Sequence, residues 1–243
     1  MKNKFLNLII LYLGYIFQKS TIIIFSFSLL LIVVFLSISS NMNYNELSYL
    51  SNPEIFHQQY FTQSLFIIQI FNSIIIATIT ITLILNATSF DSLFVSHTPR
   101  ILICFAKICA FIIILFSIIL FEVVVLFIIP TLKYTYYKPN INELKIFIYL
   151  FQTELIEFII SIAITTLLSQ IFVPMIFMFI SIVIKLFSNN LTDFNKAISN
   201  ILPIINVSQN SFICNAIFLS IIWVILIGFI YIGTYSIKDI KNV

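Results

Sequence analysis

Charge is scarce in this sequence: 9% of its 243 residues are Asp, Glu, Lys or Arg, against roughly 25% in an ordinary soluble domain. A water-soluble globule is excluded, because 61% hydrophobic residues and 27 Phe carry more apolar surface than one core of this size can hide. With a mean hydropathy of +1.14, lipid must be the solvent for much of the chain. Glycine is almost absent. Gly14, Gly228 and Gly233 cannot build a glycine-rich phosphate cradle or a backbone selectivity filter, so the chain does not hydrolyse ATP by itself. His57 and His97 stand far apart, which excludes a histidine zinc centre and a His-dependent intramembrane protease. Cys104, Cys109 and Cys214 sit inside apolar runs, as packing residues rather than as a disulfide framework or metal motif. The paired Asn-Pro-Ala motifs of a water channel are missing. The net charge of +3 is scattered, and no basic cluster offers a nucleic-acid or polybasic lipid site. No catalytic residue and no metal ligand set is expected, so the chain is not read as an enzyme.

What is abundant is uninterrupted apolar sequence. In hydrocarbon only helices and closed barrels satisfy the whole backbone, and a barrel would alternate polar and apolar residues. Runs such as Ile101 to Pro130 instead fit helices of about 20 residues, so the class is an all-α integral membrane protein. Six transmembrane helices are expected: Ser20–Leu36, Ser64–Leu85, Ile101–Ile129, Ile146–Leu168, Ile171–Phe187 and Ile213–Tyr235. The fourth and fifth need a tight turn near Ser169 and Gln170, and Pro174 agrees with a break there.

Residues 1–19 lack a small-residue cleavage site and do not read as a signal peptide. Leu6, Ile9, Ile10, Leu13, Ile16 and Phe17 recur at helical spacing, which fits an interfacial elbow helix before the first span or the start of one long first helix. Lys and Arg bias puts both termini in the cytoplasm. That side would then hold Lys2, Lys4, Lys19, Arg100, Lys107, Lys238 and Lys241, while the longest outer loop, Ile38 to Gln63, has Glu46 and Glu54 and no Lys or Arg. Outer segments are expected around Asn41 to Thr62, at Lys133 to Glu143, and over 188–212. In the last, Leu191, Phe194, Ile198, Ile201, Leu202 and Ile205 suggest short outer helices before the sixth span. No internal repeat divides the chain, so 1–243 reads as one membrane domain.

The link between spans two and three, residues 86–99, has its own start and stop signals. Thr88 and Asp91 resemble a capping box, Phe90, Leu93 and Phe94 form one apolar edge, and Thr98 and Pro99 suit the N-cap and first turn of the next span. Such a helix either docks a partner or rests on lipid. The run Asp91-Ser92-Leu93-Phe94-Val95-Ser96-His97-Thr98-Pro99-Arg100, with Lys107 seven residues on, resembles the link of ABC-2 type transporter permeases. The layout is similar to theirs throughout: elbow, six spans, cytoplasmic coupling helix, outer helices. Pro99 abuts Arg100 where the family more often separates them, and the acidic-Gly-Thr stretch upstream is reduced to Thr88 and Ser89. The resemblance implies that Phe90, Asp91, Leu93, Phe94 and Arg100 couple to separate ABC ATPase subunits that supply ATP and Mg. It also implies that a second permease copy, as homodimer or heterodimer, completes the pathway.

Three acids lie inside spans: Glu122 in the third, Glu154 and Glu157 in the fourth. Each costs roughly 2.5 to 3.5 kcal/mol there unless paired, protonated or wet. Counted from Pro130 and from Ile146, all three are expected at a similar depth, where they can share one chamber. Glu154, Glu157, Ser161, Thr165 and Ser169 form one stripe, and Gln69, Asn72, Ser73 and Thr80 another. The stripes line a translocation pathway or bind helix to helix. As a pathway, an acidic vestibule ringed by Phe and Ile suits an amphipathic or cationic peptide, or another apolar solute, better than an anion. Small permeases of Gram-positive peptide export and immunity systems, including lantibiotic immunity and phenol-soluble modulin export, are similar in this respect. The expected function is therefore an exporter permease in the plasma membrane. A secondary transporter or substrate-binding subunit that uses the intramembrane glutamates stands as the alternative.

Overall fold

Every described residue that belongs to a regular element is helical, as apolar backbone in lipid requires. The computed structural model describes residues 2–86, 98–139, 145–168, 170, 172–187 and the positions 225, 228 and 230–233. The helices are α1 (Lys2–Ile16), α2 (Lys19–Asn43), α3 (Glu46–Ser51), α4 (Pro53–Thr80, continued by a π-helical turn Ile81–Asn86), α5 (Arg100–Lys133), α6 (Lys145–Leu168) and α7 (Phe172–Phe187). Four of them, α2, α4, α5 and α6, are long and apolar enough to cross a membrane, whereas α1 and α7 are apolar but shorter. Of the expected sixth span, residues 225, 228 and 230–233 are described and helical, with Tyr231 buried. The coupling segment with Phe90, Asp91, Leu93 and Phe94, and the outer segment 188–212, lie outside the described residues.

Helix boundaries correct several expectations. The stretch Ile38 to Gln63 is not an outer loop: α2 runs on to Asn43, and α4 starts at Pro53 rather than Ser64. The reason is local. Asn52 caps α4 by accepting from the Glu54 N–H at 3.2 Å, Pro53 occupies the first turn with its φ already set, and Glu54 faces the positive end of the helix dipole. Phe56, Tyr60 and Phe61 then continue the buried face. At the start of α5 the cap is Pro99, not Thr98, with no side-chain cap bond; the Leu102 N–H closes the first turn on the Pro99 carbonyl at 2.9 Å.

The first 43 residues form two helices, not one. Gln18, extended at φ −69° and ψ 155°, separates α1 from α2. The apolar face expected on α1 is split: Leu8, Tyr12 and Ile16 are buried, while Leu6, Ile10 and Phe17 point outward. Helix α6 ends at Leu168 and α7 starts at Phe172, and the Val173 N–H reaches the Gln170 carbonyl at 3.2 Å. Pro174 falls in the first turn of α7, where its missing N–H has no helical partner to lose.

Inside α5, Pro130 is buried in the last turn. It cannot donate to the carbonyl of Leu126 four residues back. The Tyr60 hydroxyl of α4 donates to that oxygen instead, at 3.0 Å, in a buried contact. The helix therefore continues to Lys133.

Helix α4 sits at the centre. It packs against α2, α6 and α7, while α5 packs against α1, α2 and α6. Side-chain pairs fix the directions: Ser39 with Gln63 and Phe35 with Phe71 make α2 and α4 antiparallel, and Tyr60 with Leu126 and Asn72 with Glu122 do the same for α4 and α5. Rings of Phe111 and Phe158 stack with centroids 3.3 Å apart, and Phe116 meets Phe147 and Phe151, so α6 runs against α5 and along α4. The bundle has a link end, where residues 87–97 join α4 to α5, and a tyrosine end, where Tyr44, Tyr49, Tyr134 and Tyr137 gather around Phe56.

Candidate functional site

The polar residues of α4 repeat every three or four positions, so helical geometry alone puts Gln69, Asn72, Ser73 and Thr80 on one side. All four are buried, as are Glu122, Glu154, Glu157, Ser161 and Thr165. Hydroxyls here first satisfy themselves. Ser73 donates to the Gln69 carbonyl at 3.0 Å, Thr80 to that of Ile76 at 2.8 Å, and Thr165 to that of Ser161 at 2.7 Å, which keeps polar side chains tolerable in lipid.

Two bonds then cross between helices. The Asn72 amide donates to the Glu122 carboxyl at 3.1 Å, tying α4 to α5. The Ser161 hydroxyl donates to the Thr80 hydroxyl at 3.2 Å, tying α6 to α4. Helix α4 thus holds both neighbours through the stripe that the sequence marks. Glu122 lies eleven residues from Lys133 at the end of α5, and Glu154 nine residues from Lys145 at the start of α6; the side chain of Glu122 reaches α4.

At the link end, Lys107 of α5 is fully buried, with its Nζ 5.4 Å from the centroid of the Tyr12 ring on α1. Helix α1 also packs on the π-helical turn that leads into the link. Arg100, an expected coupling residue, is the first residue of α5 and half-buried. The sequence singled out Lys107 through the Lys and Arg bias and through a resemblance; its burial against an aromatic ring was not legible there.

At the tyrosine end, α2, α4 and α5 are strapped together. The Lys133 ammonium donates to the Ser37 carbonyl at 3.1 Å and to the Asn41 side chain at 3.2 Å, while Gln63 accepts from Ser39 at 3.2 Å and from Asn43 at 2.7 Å. Tyr44 stacks on Tyr134 with centroids 3.6 Å apart. Partial burial, and then the nearby Glu46 carboxylate, push the Tyr44 phenol up from its ordinary value. None of these strap residues was singled out from the sequence, although Pro130 in an otherwise helical run signals a carbonyl in need of a donor. Among the described residues no three His, Cys, Asp or Glu side chains gather in a way that could hold a metal ion.

Helices that cross lipid several times, with their polar side chains sealed between them, define a multi-pass α-helical membrane protein. No family model, curated protein or solved structure matches this chain.

Proposed function

We propose that this chain is the membrane-spanning permease subunit of an ATP-driven exporter in the cell membrane. It would have six spans and cytoplasmic termini, pair with a second permease copy, and draw on ATP and Mg bound by separate ATPase subunits. Its cargo would be amphipathic or cationic peptides or other apolar solutes.

The observation that carries this is the junction at the link end. There α1, the π-helical turn and the first turns of α5 pack together around Tyr12 and Lys107, and the sequence Asp91 to Arg100 that connects the turn to α5 resembles an ATPase-docking link. A displacement of that segment would act directly on α4, which holds the buried polar layer through Asn72 and Thr80. Gln69, Asn72, Glu122, Glu154 and Glu157 are the residues proposed to face the route when the helices part. The three buried acids also favour a second reading, a proton-coupled secondary transporter, although the sequence of the spans is nearly glycine-free, unlike the Gly- or Pro-interrupted helices in matching halves that such transporters more often show.

The test is co-purification through a C-terminal tag after expression with the neighbouring genes. An ATP-binding subunit at one per permease is expected, and changing Leu93 and Phe94 to Asp should abolish its association while membrane insertion stays intact. Recovery of the chain alone, with transport stopped by a protonophore and not by ATP depletion, would overturn the proposal in favour of the second reading.

A further inference from the structure

The Asn72–Glu122 contact is short of one hydrogen. The Asn72 amide nitrogen donates to Glu122 Oε2 at 3.1 Å. The remaining oxygens of the same two groups, Asn72 Oδ1 and Glu122 Oε1, are both buried acceptors with no hydrogen-bond donor among the described residues. Glu122 is fully buried and Asn72 is 1% exposed. Two orphaned acceptors on two side chains already joined by one bond are what a second, parallel bond satisfies once one of them carries a hydrogen. A carboxylic acid and a primary amide close such a ring, each giving one hydrogen and accepting one.

The charges nearby agree with a neutral acid. Along α5 the basic residues nearest to Glu122 are Lys107 and Lys133, fifteen and eleven positions away, or ~22 and ~16 Å at ~1.5 Å per residue. Helix α2, which packs on both α4 and α5, carries no ionisable side chain after Lys19. On α6 the interior ionisable residues are Tyr149, Glu154 and Glu157, none of them a base, with Lys145 at its start; on α7 the one basic residue is Lys185, near its end. On α1, Lys2 and Lys4 begin the helix and Tyr12 and Tyr15 follow, and α3 adds Glu46 and Tyr49. On α4 itself the ionisable groups are Glu54, His57 and Tyr60, all at least twelve residues toward the tyrosine end from Asn72. No described element brings a cation to the carboxyl to balance a charge.

We propose that Glu122 binds a proton on Oε1 and donates it to Asn72 Oδ1, so that a closed acid–amide pair locks α4 to α5. The Asn72–Glu122 pair is thus a proton-binding site in the sealed interior, whatever solute the protein carries. Loss of the proton leaves a charge and an orphaned amide oxygen at the contact, and the pair then opens.

The test is infrared difference spectroscopy of the purified full-length protein in lipid near neutral pH, with unfolding measured on the same samples. The wild type should show a carbonyl band of a hydrogen-bonded protonated carboxyl that disappears in Glu122→Gln and moves to higher frequency in Asn72→Leu. Glu122→Gln offers an amide of the same shape that keeps both bonds; its melting temperature should match that of the wild type and stay flat where the wild type falls on alkalinisation. Absence of a protonated band assignable to Glu122, or a Glu122→Gln protein that melts as early as Asn72→Leu, would overturn the proposal.

Discussion

Removing one oxygen atom from Tyr60 tests how α5 carries a proline through its interior. Pro130 leaves the Leu126 carbonyl without its helical donor, and the Tyr60 hydroxyl fills the place at 3.0 Å. Tyr60 and Leu126 are both fully buried, so no water replaces the lost bond. In Tyr60→Phe the ring and its stacking on Phe56 remain, and only the hydroxyl goes. Interhelical hydrogen bonds in membranes average about 0.6 and reach about 1.7 kcal/mol, and a buried carbonyl left unmade costs about 1–3 kcal/mol. A loss of about 1–2 kcal/mol is expected from these ranges, which for a chain of this size lowers the melting temperature by about 2–8 °C. The decisive variant is Pro130→Ala, which restores a backbone N–H able to donate to Leu126. In that background Tyr60→Phe should cost less than about 0.5 kcal/mol, the level at which two sites count as independent. Reversible unfolding in mixed micelles, run as a double-mutant cycle, gives all four values. Equal costs of Tyr60→Phe in both backgrounds would refute the substitution of hydroxyl for amide.

Lys107→Met should loosen α1 by about 0.5–2 kcal/mol, the range of a cation–π contact, and speed hydrogen exchange over Lys4–Ile16; unchanged exchange there removes Lys107 as the anchor of α1. Asn52→Ala should cost about 0.5–2 kcal/mol as a lost N-cap, seen as fraying of the first turn of α4, while Asn52→Ser holds it; equal fraying in both would show that the side-chain acceptor does no capping. The Tyr44 phenol, held above its ordinary value by burial and Glu46, favours its neutral form in the folded protein. Its contribution is fully present below the usual tyrosine value of about 10 and is lost as pH rises through the raised one. Phenolate absorbance should therefore show a late-titrating component that Tyr44→Phe removes; a titration unchanged by that substitution would contradict it.

Long apolar runs were legible because lipid leaves them one backbone solution: Arg100–Lys133 and Lys145–Leu168 lie within a few residues of the runs read as Ile101–Ile129 and Ile146–Leu168. The turn near Ser169 and Gln170 was legible because no bilayer accommodates the combined length. Hydropathy failed where helices leave the hydrocarbon. Asn41 to Thr62 is polar enough to pass for loop, yet the Asn52-Pro53-Glu54 start signal is written in it. For the candidate site, spacing alone puts Gln69, Asn72, Ser73 and Thr80 on one face. That Asn72 meets Glu122 while Thr80 meets Ser161 depends on how α5 and α6 are staggered against α4, and this was legible only in part. The stagger is set by rings such as Phe111 on Phe158 and by helices that run past Leu36 and Pro130. Counting inward from the helix ends does not show that the Glu122 carboxyl reaches Asn72.

The Asn72–Glu122 and Thr80–Ser161 bonds of the buried polar layer also set a timetable for biogenesis. Glu122 follows Asn72 by 50 residues in the chain, and Ser161 follows Thr80 by 81. At ribosomal rates of about 5–20 residues per second, α4 waits ~3–10 s for its carboxyl partner and somewhat longer for its hydroxyl one. Of the long helices that α4 packs against, α2 alone is already made, and the Gln63 bonds to Ser39 and Asn43 can form at once. Nascent α4 should therefore leave the translocon as a hairpin with α2, its amide face still turned toward the channel wall. Ribosome-bound chains that end before Glu122 should crosslink to the translocon through α4, and chains long enough to expose α5 should not.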